Sequence, residues 1–262
     1  VNHSAKAARW LRDPGCEIGA FKTPIPGITP VYVDKYAEYA RERCLGDYFG
    51  EAVALPFRDN ALNYVASSHV LEHVANPVGA LREWRRVLRH GGIIYMVVPD
   101  RRFTWDRPRE LTPVSHLLDD DLRGTTSVDA THIDEFVDGV DWATYSPATA
   151  PADVPGEKQK LKQVYRHAVS HASEINIHFH VFEPSNVLEL IETLRTHPRY
   201  RFDWELVDSA ERFPEDNPIG FLAVVRVRKP LGARIEGWRR GRIYSMERDA
   251  ILAPGARPFP KA

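Results

Sequence analysis

The run Ile93–Val98 is apolar at every position and offers no polar residue to water on either side. A strand with one solvated face alternates polar and apolar residues; one that is apolar throughout belongs in a parallel sheet covered by helices on both faces. Cys16–Ile18, Thr29–Val33 and Asn63–Ser67 read as further buried strands. Between the last of these and Ile93–Val98 lies the clearest helix. Asn76 is a good N-cap and Pro77 suits the first turn. Val78, Leu81, Trp84 and Leu88 recur at helical spacing, and Gly91-Gly92 is read as the terminator. Strands alternating with helices predict an α/β fold with a doubly wound parallel sheet, which binds ligands beyond the carboxyl ends of its strands.

Outside that region the signals are coarser. A short helix is expected over residues 4–13, closed by Asp13-Pro14-Gly15. Residues 100–156 are rich in Pro, Asp and Thr, with only short helical hints such as Val114–Leu118. A helix is expected from about Glu157 to Ala172, a strand at Ile175–Phe182, and an amphipathic helix opened by Pro184 and running to about Arg195. Two last strands are read near Phe202–Val207 and Ile219–Val227. The expectation is one domain over 1–262, with 100–182 as an insertion over the acceptor and 232–262 as a C-terminal tail wrapping the surface or a partner subunit.

Acidic residues and glycines punctuate the first hundred positions in a definite order. They run Glu17-Ile-Gly19-Ala20-Phe21, Val33-Asp34-Lys35, Gly50-Glu51-Ala52, Ser68-His69-Val-Leu-Glu72-His73, then Gly91-Gly92 and Pro99-Asp100. Together with Leu55-Pro56-Phe57-Arg58-Asp59, this order resembles the class I S-adenosylmethionine-dependent methyltransferases, in their type-11 branch. The resemblance covers roughly residues 10–100 well and the remainder in outline. It implies a Rossmann-like methyltransferase sheet with an antiparallel final strand and a long insertion after strand five.

It also implies S-adenosylmethionine as cofactor. Glu17, Gly19 and Ala20 mark the first loop, Asp34 and Lys35 the ribose side, and Glu51 and Ala52 the adenine side. Ser68 and His69 close the pocket. The chain departs from the family where further glycines are usual: Phe21 and Thr23 stand there, with Pro24 and Pro26 stiffening the turn. His69-x-x-Glu72-His73 also spells an inverted zinc-peptidase signature. That chemistry needs both histidines on one helix face, whereas His69 is read at a strand end, so the peptidase reading is set aside.

The stretch between Pro99 and Glu183 is far longer than a strand-to-helix connection, and loops of that size are usually functional or disordered. It holds His116, Asp119, Asp120, Asp121, His132, Asp134 and further carboxylates. Such a density suits a hard cation such as Mg²⁺, or else is a solvated acidic loop. His116, with Asp119 and Asp120 close behind, is the candidate general base for a hydroxyl acceptor, or an ordinary surface histidine. In a strand over Ile175–Phe182, His178 and His180 share one face; with Asp120 they form the candidate metal set, or are a buried structural pair. His167 and His171 read as a polar helix face. Phe103, Trp105, Trp142 and Tyr145 either stack on sugar or anchor the insertion.

A formal charge of -1 argues against a nucleic-acid partner. Two cysteines and no membrane-length apolar run favour a cytoplasmic protein with no membrane partner. Within the family the chain looks most like actinobacterial enzymes of polysaccharide assembly, including those that methylate the 1-hydroxyl of 3-O-methylated mannosides. That likeness implies sugar O-methylation of a small saccharide, Mg²⁺ assistance and a homodimer. The rivals are an O-methyltransferase acting on a lipid, quinone or polyketide hydroxyl, and a non-catalytic binding protein on the same scaffold.

Overall fold

A computed structural model describes residues 2–39, 41–126, 130–171, 173, 175–232 and 248–260. The strands are β1 (Gly15–Ile18), β2 (Val31–Asp34), β3 (Glu38–Tyr39), β4 (Glu42–Arg43), β5 (Tyr48–Phe49), β6 (Leu62–Ser68), β7 (Leu88–Pro99), β8 (Trp204–Phe213) and β9 (Gly220–Val227). The helices are α1 (His3–Trp10), α2 (Pro77–Val87), α3 (Val114–Arg123), α4 (Ala130–Gly139), α5 (Trp142–Tyr145), α6 (Val154–Ser170) and α7 (Pro184–Thr196). Seven strands form one sheet in the order β5-β2-β1-β6-β7-β9-β8. β5, β2, β1, β6 and β7 are parallel, and β9 runs antiparallel to both β7 and β8. The α/β class, the doubly wound sheet and the reversed final strand are therefore as expected.

The apolar strand explains how the core divides. Ile94, Met96 and Val98 face a core that includes Trp84 of α2 and Leu190 of α7. The alternate residues Ile93, Tyr95 and Val97 face a second core with Ala7 of α1 and Leu222 of β9. One period-2 strand thus feeds two hydrophobic layers, and no polar position is available to it.

Asn76 caps α2 by accepting from Gly79 N at 2.7 Å. The helix ends at Val87, earlier than expected, and Leu88 already pairs with Leu62 in the sheet. The register then slips between Leu62 and Tyr64, and Gly91 takes φ +78 inside that irregularity. Gly91 is the hinge of a bulge, not a helix stop.

Two other expectations change. Residues 114–145 carry three helices, not scattered hints, and Ile133, Phe136, Val137 and Trp142 build a third core with Ile177 and Phe179. Ile175–Phe182 is not a strand. Its backbone is held by neighbours outside the sheet: Phe179 N donates to Glu72 O at 2.8 Å, and Val181 N to Thr112 Oγ1 at 2.9 Å. In the tail, residues 233–247 and 261–262 lie outside the described residues. Residues 248–260 run along the β5 edge, where Tyr48 bridges Pro258 and Phe259 packs 4.5 Å from Phe49, covering an otherwise open strand edge.

Candidate functional site

The strand ends β1, β2 and β6 open onto one cavity of about 690 Å³. β1 finishes at Ile18, and the chain turns through Gly19 at φ +64. A Cβ at Gly19 would stand 2.8 Å from Val70 Cγ2, so any side chain here is strained and must displace Val70. Phe21, where the family favours glycine, also takes a left-handed conformation, at φ 49. Glu17 points back under this loop and accepts from Ile25 N at 2.9 Å. It is 1% exposed, and burial pushes its carboxyl up to about 7 against that hydrogen bond.

Asp34 ends β2 and accepts from Tyr36 N at 3.1 Å. Burial raises its carboxyl above the ordinary range, opposed by backbone N–H groups of Tyr36 and Lys35. Glu51 is half-exposed and lies 3.4 Å from Lys35 Nζ. β6 ends at Ser68, and His69 follows at φ 56 with its N–H on Val97 O at 2.9 Å. All nine residues read from the sequence as donor contacts line this one cavity.

The opposite wall carries Glu72, His73 and His178. Glu72 is fully buried, and neither carboxylate oxygen has a hydrogen-bond partner among the described residues. His73 Nε2 lies 3.8 Å and His69 Nδ1 3.6 Å from Glu72 Oε1. Burial drives the Glu72 carboxyl upward, but His69, His73 and His178 outweigh it and hold the group below its ordinary value. His178 Nδ1 is 2.5 Å from Asp106 Oδ2. Arg109 grips Asp106 at 2.7 Å and the His178 carbonyl at 2.9 Å, all in buried surroundings. For Asp106, burial again raises the carboxyl while His178 and Arg109 lower it, with a net shift downward.

His116 is not at this wall. It projects from α3, with Nε2 3.3 Å from Asp120 Oδ2, the oxygen that also faces His180 Nε2 at 3.2 Å. The rings of His116, His132 and His180 stand 5.6–5.7 Å apart and form a second group that does not line the cavity. His116, expected from the sequence to face the acceptor, thus lies away from the cavity that holds the strand-end residues. The metal set of Asp120, His178 and His180 is divided for the same reason. Without a strand to align them, His180 turns to Asp120 while His178 turns to Asp106 and His73.

Among the described residues, several acidic side chains of the insertion are paired with basic ones. Asp121 pairs with Arg82, Asp134 with Arg166, Glu135 with Arg109 and Asp138 with Lys162. Of the aromatic residues, Trp105 lines the cavity and also packs against the third core, to which Trp142 and Tyr145 belong. Sequence reasoning passed over Glu72 and His73; their signal was the His69-x-x-Glu72-His73 spacing, dismissed with the peptidase.

Residues 13–96 match a family model described as a methyltransferase domain. An uncharacterized protein in a transposon of Streptomyces fradiae is 34% identical over 102 residues, covering 36% of this chain and 28% of that protein. An uncharacterized protein of Methanocaldococcus jannaschii is 32% identical over 96 residues, covering 34% of this chain and 40% of that protein. The chain therefore spans well under half the length of either relative. A methyltransferase structure from Methanosarcina mazei, termed SAM-dependent, aligns over 88% of this chain and 100% of its own, at 15% identity and TM-score 0.44. An S-adenosylmethionine-dependent methyltransferase structure from Mesorhizobium loti aligns over 85% of this chain and 96% of its own, at 10% identity and TM-score 0.43.

Proposed function

We propose that this chain moves the methyl group of S-adenosylmethionine to a hydroxyl oxygen of a saccharide, a reading supported by the match of residues 13–96 to a methyltransferase-domain model. One observation carries the reading: a single cavity joins the strand-end carboxylate Asp34 to the wall of Glu72, His73 and His178. The bound cofactor supplies an electrophilic methyl carbon on a sulfonium. Asp34, at the tip of β2, accepts from the ribose hydroxyls, while the Lys35–Glu51 pair flanks the adenine side. Gly19 lets the backbone approach the methionine end, where a side chain would be strained.

Methyl transfer is an in-line displacement, so the residues that position the acceptor oxygen remove much of the barrier. The oxygen forms the new C–O bond, the C–S pair stays on sulfur, and the hydroxyl proton leaves. A sugar hydroxyl needs help to lose that proton at neutral pH. The Glu72 wall supplies acceptor atoms at the cavity, which His116 does not. Trp105, beside His178 at 5.3 Å between ring centroids, offers the flat face on which a sugar stacks.

The narrower acceptor, the 1-hydroxyl of a 3-O-methylated mannoside, rests on the resemblance, as do the homodimer and the cytoplasmic setting. No helix among the described residues is long and apolar enough to cross a membrane. The test is a labelled-donor screen over methylated and unmethylated sugars, with calorimetry of S-adenosylhomocysteine beside it. Transfer to a sugar supports the reading. Transfer only to lipid or quinone hydroxyls overturns the saccharide, and lack of S-adenosylhomocysteine binding overturns the donor.

A further inference from the structure

We propose that Glu72, His73 and His178 hold a divalent transition-metal ion of the manganese-to-zinc series at the acceptor wall of the cavity. The inference starts from hydrogen positions that the neighbours dictate. His73 Nδ1 lies 2.9 Å from the Ile177 carbonyl oxygen, which can only accept, so the ring hydrogen sits on Nδ1. His178 Nδ1 faces Asp106 Oδ2 and is likewise the donor there. Both Nε2 atoms are then left with a lone pair. His73 Nε2 lies 3.8 Å from Glu72 Oε1, and one ring nitrogen of each histidine together with a Glu72 oxygen form a group whose atoms all lie within 4.8 Å of one another.

Two imidazole lone pairs and a carboxylate make a cluster of acceptors, and the third ring beside them, His69, has its Nδ1 3.6 Å from Glu72 Oε1, outside hydrogen-bond reach. The side chain of Glu72 is completely buried, and both its oxygens lack a partner among the described residues, an arrangement that costs several kcal/mol unless something positive or donating lies between. A direct hydrogen bond does not close the gap, because His73 Nε2 is 3.8 Å from Glu72 Oε1. One water has two hydrogens for four acceptor sites. A metal ion closes it: ligand bonds of about 2.0–2.2 Å place neighbouring ligand atoms roughly 3–4 Å apart.

The surroundings have the form that metal-binding histidines require, with the far ring nitrogen held by a carboxylate in one case and a backbone carbonyl in the other. Arg109 in turn fixes Asp106. Two imidazoles and one carboxylate leave coordination positions open toward the cavity, the pattern of sites that bind a substrate oxygen. The same set is a poor fit to Mg²⁺, which prefers oxygen ligands and retained water. The magnesium expected from the family likeness is therefore replaced by a metal with affinity for nitrogen.

This inference takes its catalytic meaning from the methyl-transfer reading, but the site itself stands on the geometry. The experiment titrates Co²⁺, Mn²⁺ and Zn²⁺ into chelator-treated full-length protein, without donor or acceptor. It follows the Co²⁺ ligand-field bands and the bound metal after desalting. The wild type is expected to bind at this wall, and Asp106→Asn to weaken that binding roughly 10–100-fold by loosening His178. His73→Ala with His178→Ala should abolish it, and Glu72→Gln, nearly isosteric, should alter the Co²⁺ spectrum with the circular dichroism unchanged. Two results overturn the proposal: no binding of any of the three ions, or binding that survives loss of His73 and His178 and disappears with His116→Ala and His180→Ala. Calorimetry with S-adenosylhomocysteine separates the two readings, since metal binding without nucleoside binding refutes methyl transfer alone.

Discussion

Glu17→Gln isolates the electrostatic cost of the donor loop. The carboxyl is 1% exposed and is pushed from its ordinary 4.5 up to about 7, chiefly by burial. Between those values the unfolded chain has already released its proton while the folded protein still holds it. The unfolded state therefore gains relative stability as pH rises. Glu17's favourable contribution is complete below pH 4.5, erodes through the interval and is gone above about 7. At about 1.4 kcal/mol per pH unit, the interval is worth roughly 3 kcal/mol. Glutamine keeps an oxygen for the Ile25 N–H, 2.9 Å away in the parent, and carries no charge. The variant should match the wild type within about 1 kcal/mol near pH 4.5 and exceed it by up to about 3 kcal/mol near pH 8 in urea unfolding without ligand. Parallel stability curves across that range would refute the burial argument, because they would mean that the carboxylate is already solvated or paired.

Asp34→Ala should abolish measurable S-adenosylhomocysteine binding in calorimetry with the circular dichroism preserved; unchanged affinity removes Asp34 from the ribose. Gly19→Ala forces a Cβ toward Val70 at φ +64, so thermal unfolding should show a loss of about 1–2 kcal/mol. Val70→Ala in the same chain should recover part of it, and no recovery would place the strain elsewhere. His116→Ala should leave turnover within a few-fold of wild type, since the ring lies off the cavity. A fall of roughly 10²–10⁴ in kcat would restore it as the base.

The strand-end rim of the cavity was legible because its residues sit where strands end. Asp34 closes β2 and Ser68 closes β6, and a strand boundary is marked in sequence by the change from apolar runs to Asp, Gly and Ser. Gly19 was readable for the same reason: a left-handed turn that strains any Cβ favours a glycine. The end of α2 was misread because Gly91-Gly92 marks two different things equally well. A helix stop and a bulge both want φ > 0. Only the pairing of Leu88 with Leu62 decides between them, and that is a contact 26 residues away in sequence, beyond the reach of local pattern.

The histidine wall of the cavity was legible in composition and not in arrangement. Alternation along Ile175–Phe182 placed His178 and His180 on one face, which holds only for a strand with neighbours to pair with. Here the backbone N–H groups of Phe179 and His180 both turn to the single carbonyl of Glu72, at 2.8 and 3.3 Å. That shared anchor ties the segment to the turn after β6 and sends successive histidines to different partners. His178 reaches Asp106 across 72 residues and His180 reaches Asp120 across 60. The sequence therefore carried the members of both histidine groups, while their partition depends on a segment that is anchored through the main-chain oxygen of Glu72. That carbonyl belongs to the residue whose carboxylate stands unpartnered at the cavity, so backbone and side chain of Glu72 act on the same wall. Shifting the 175–182 segment would move His178 away from Glu72, whereas Asp34 and Ser68 at the strand ends would stay in place.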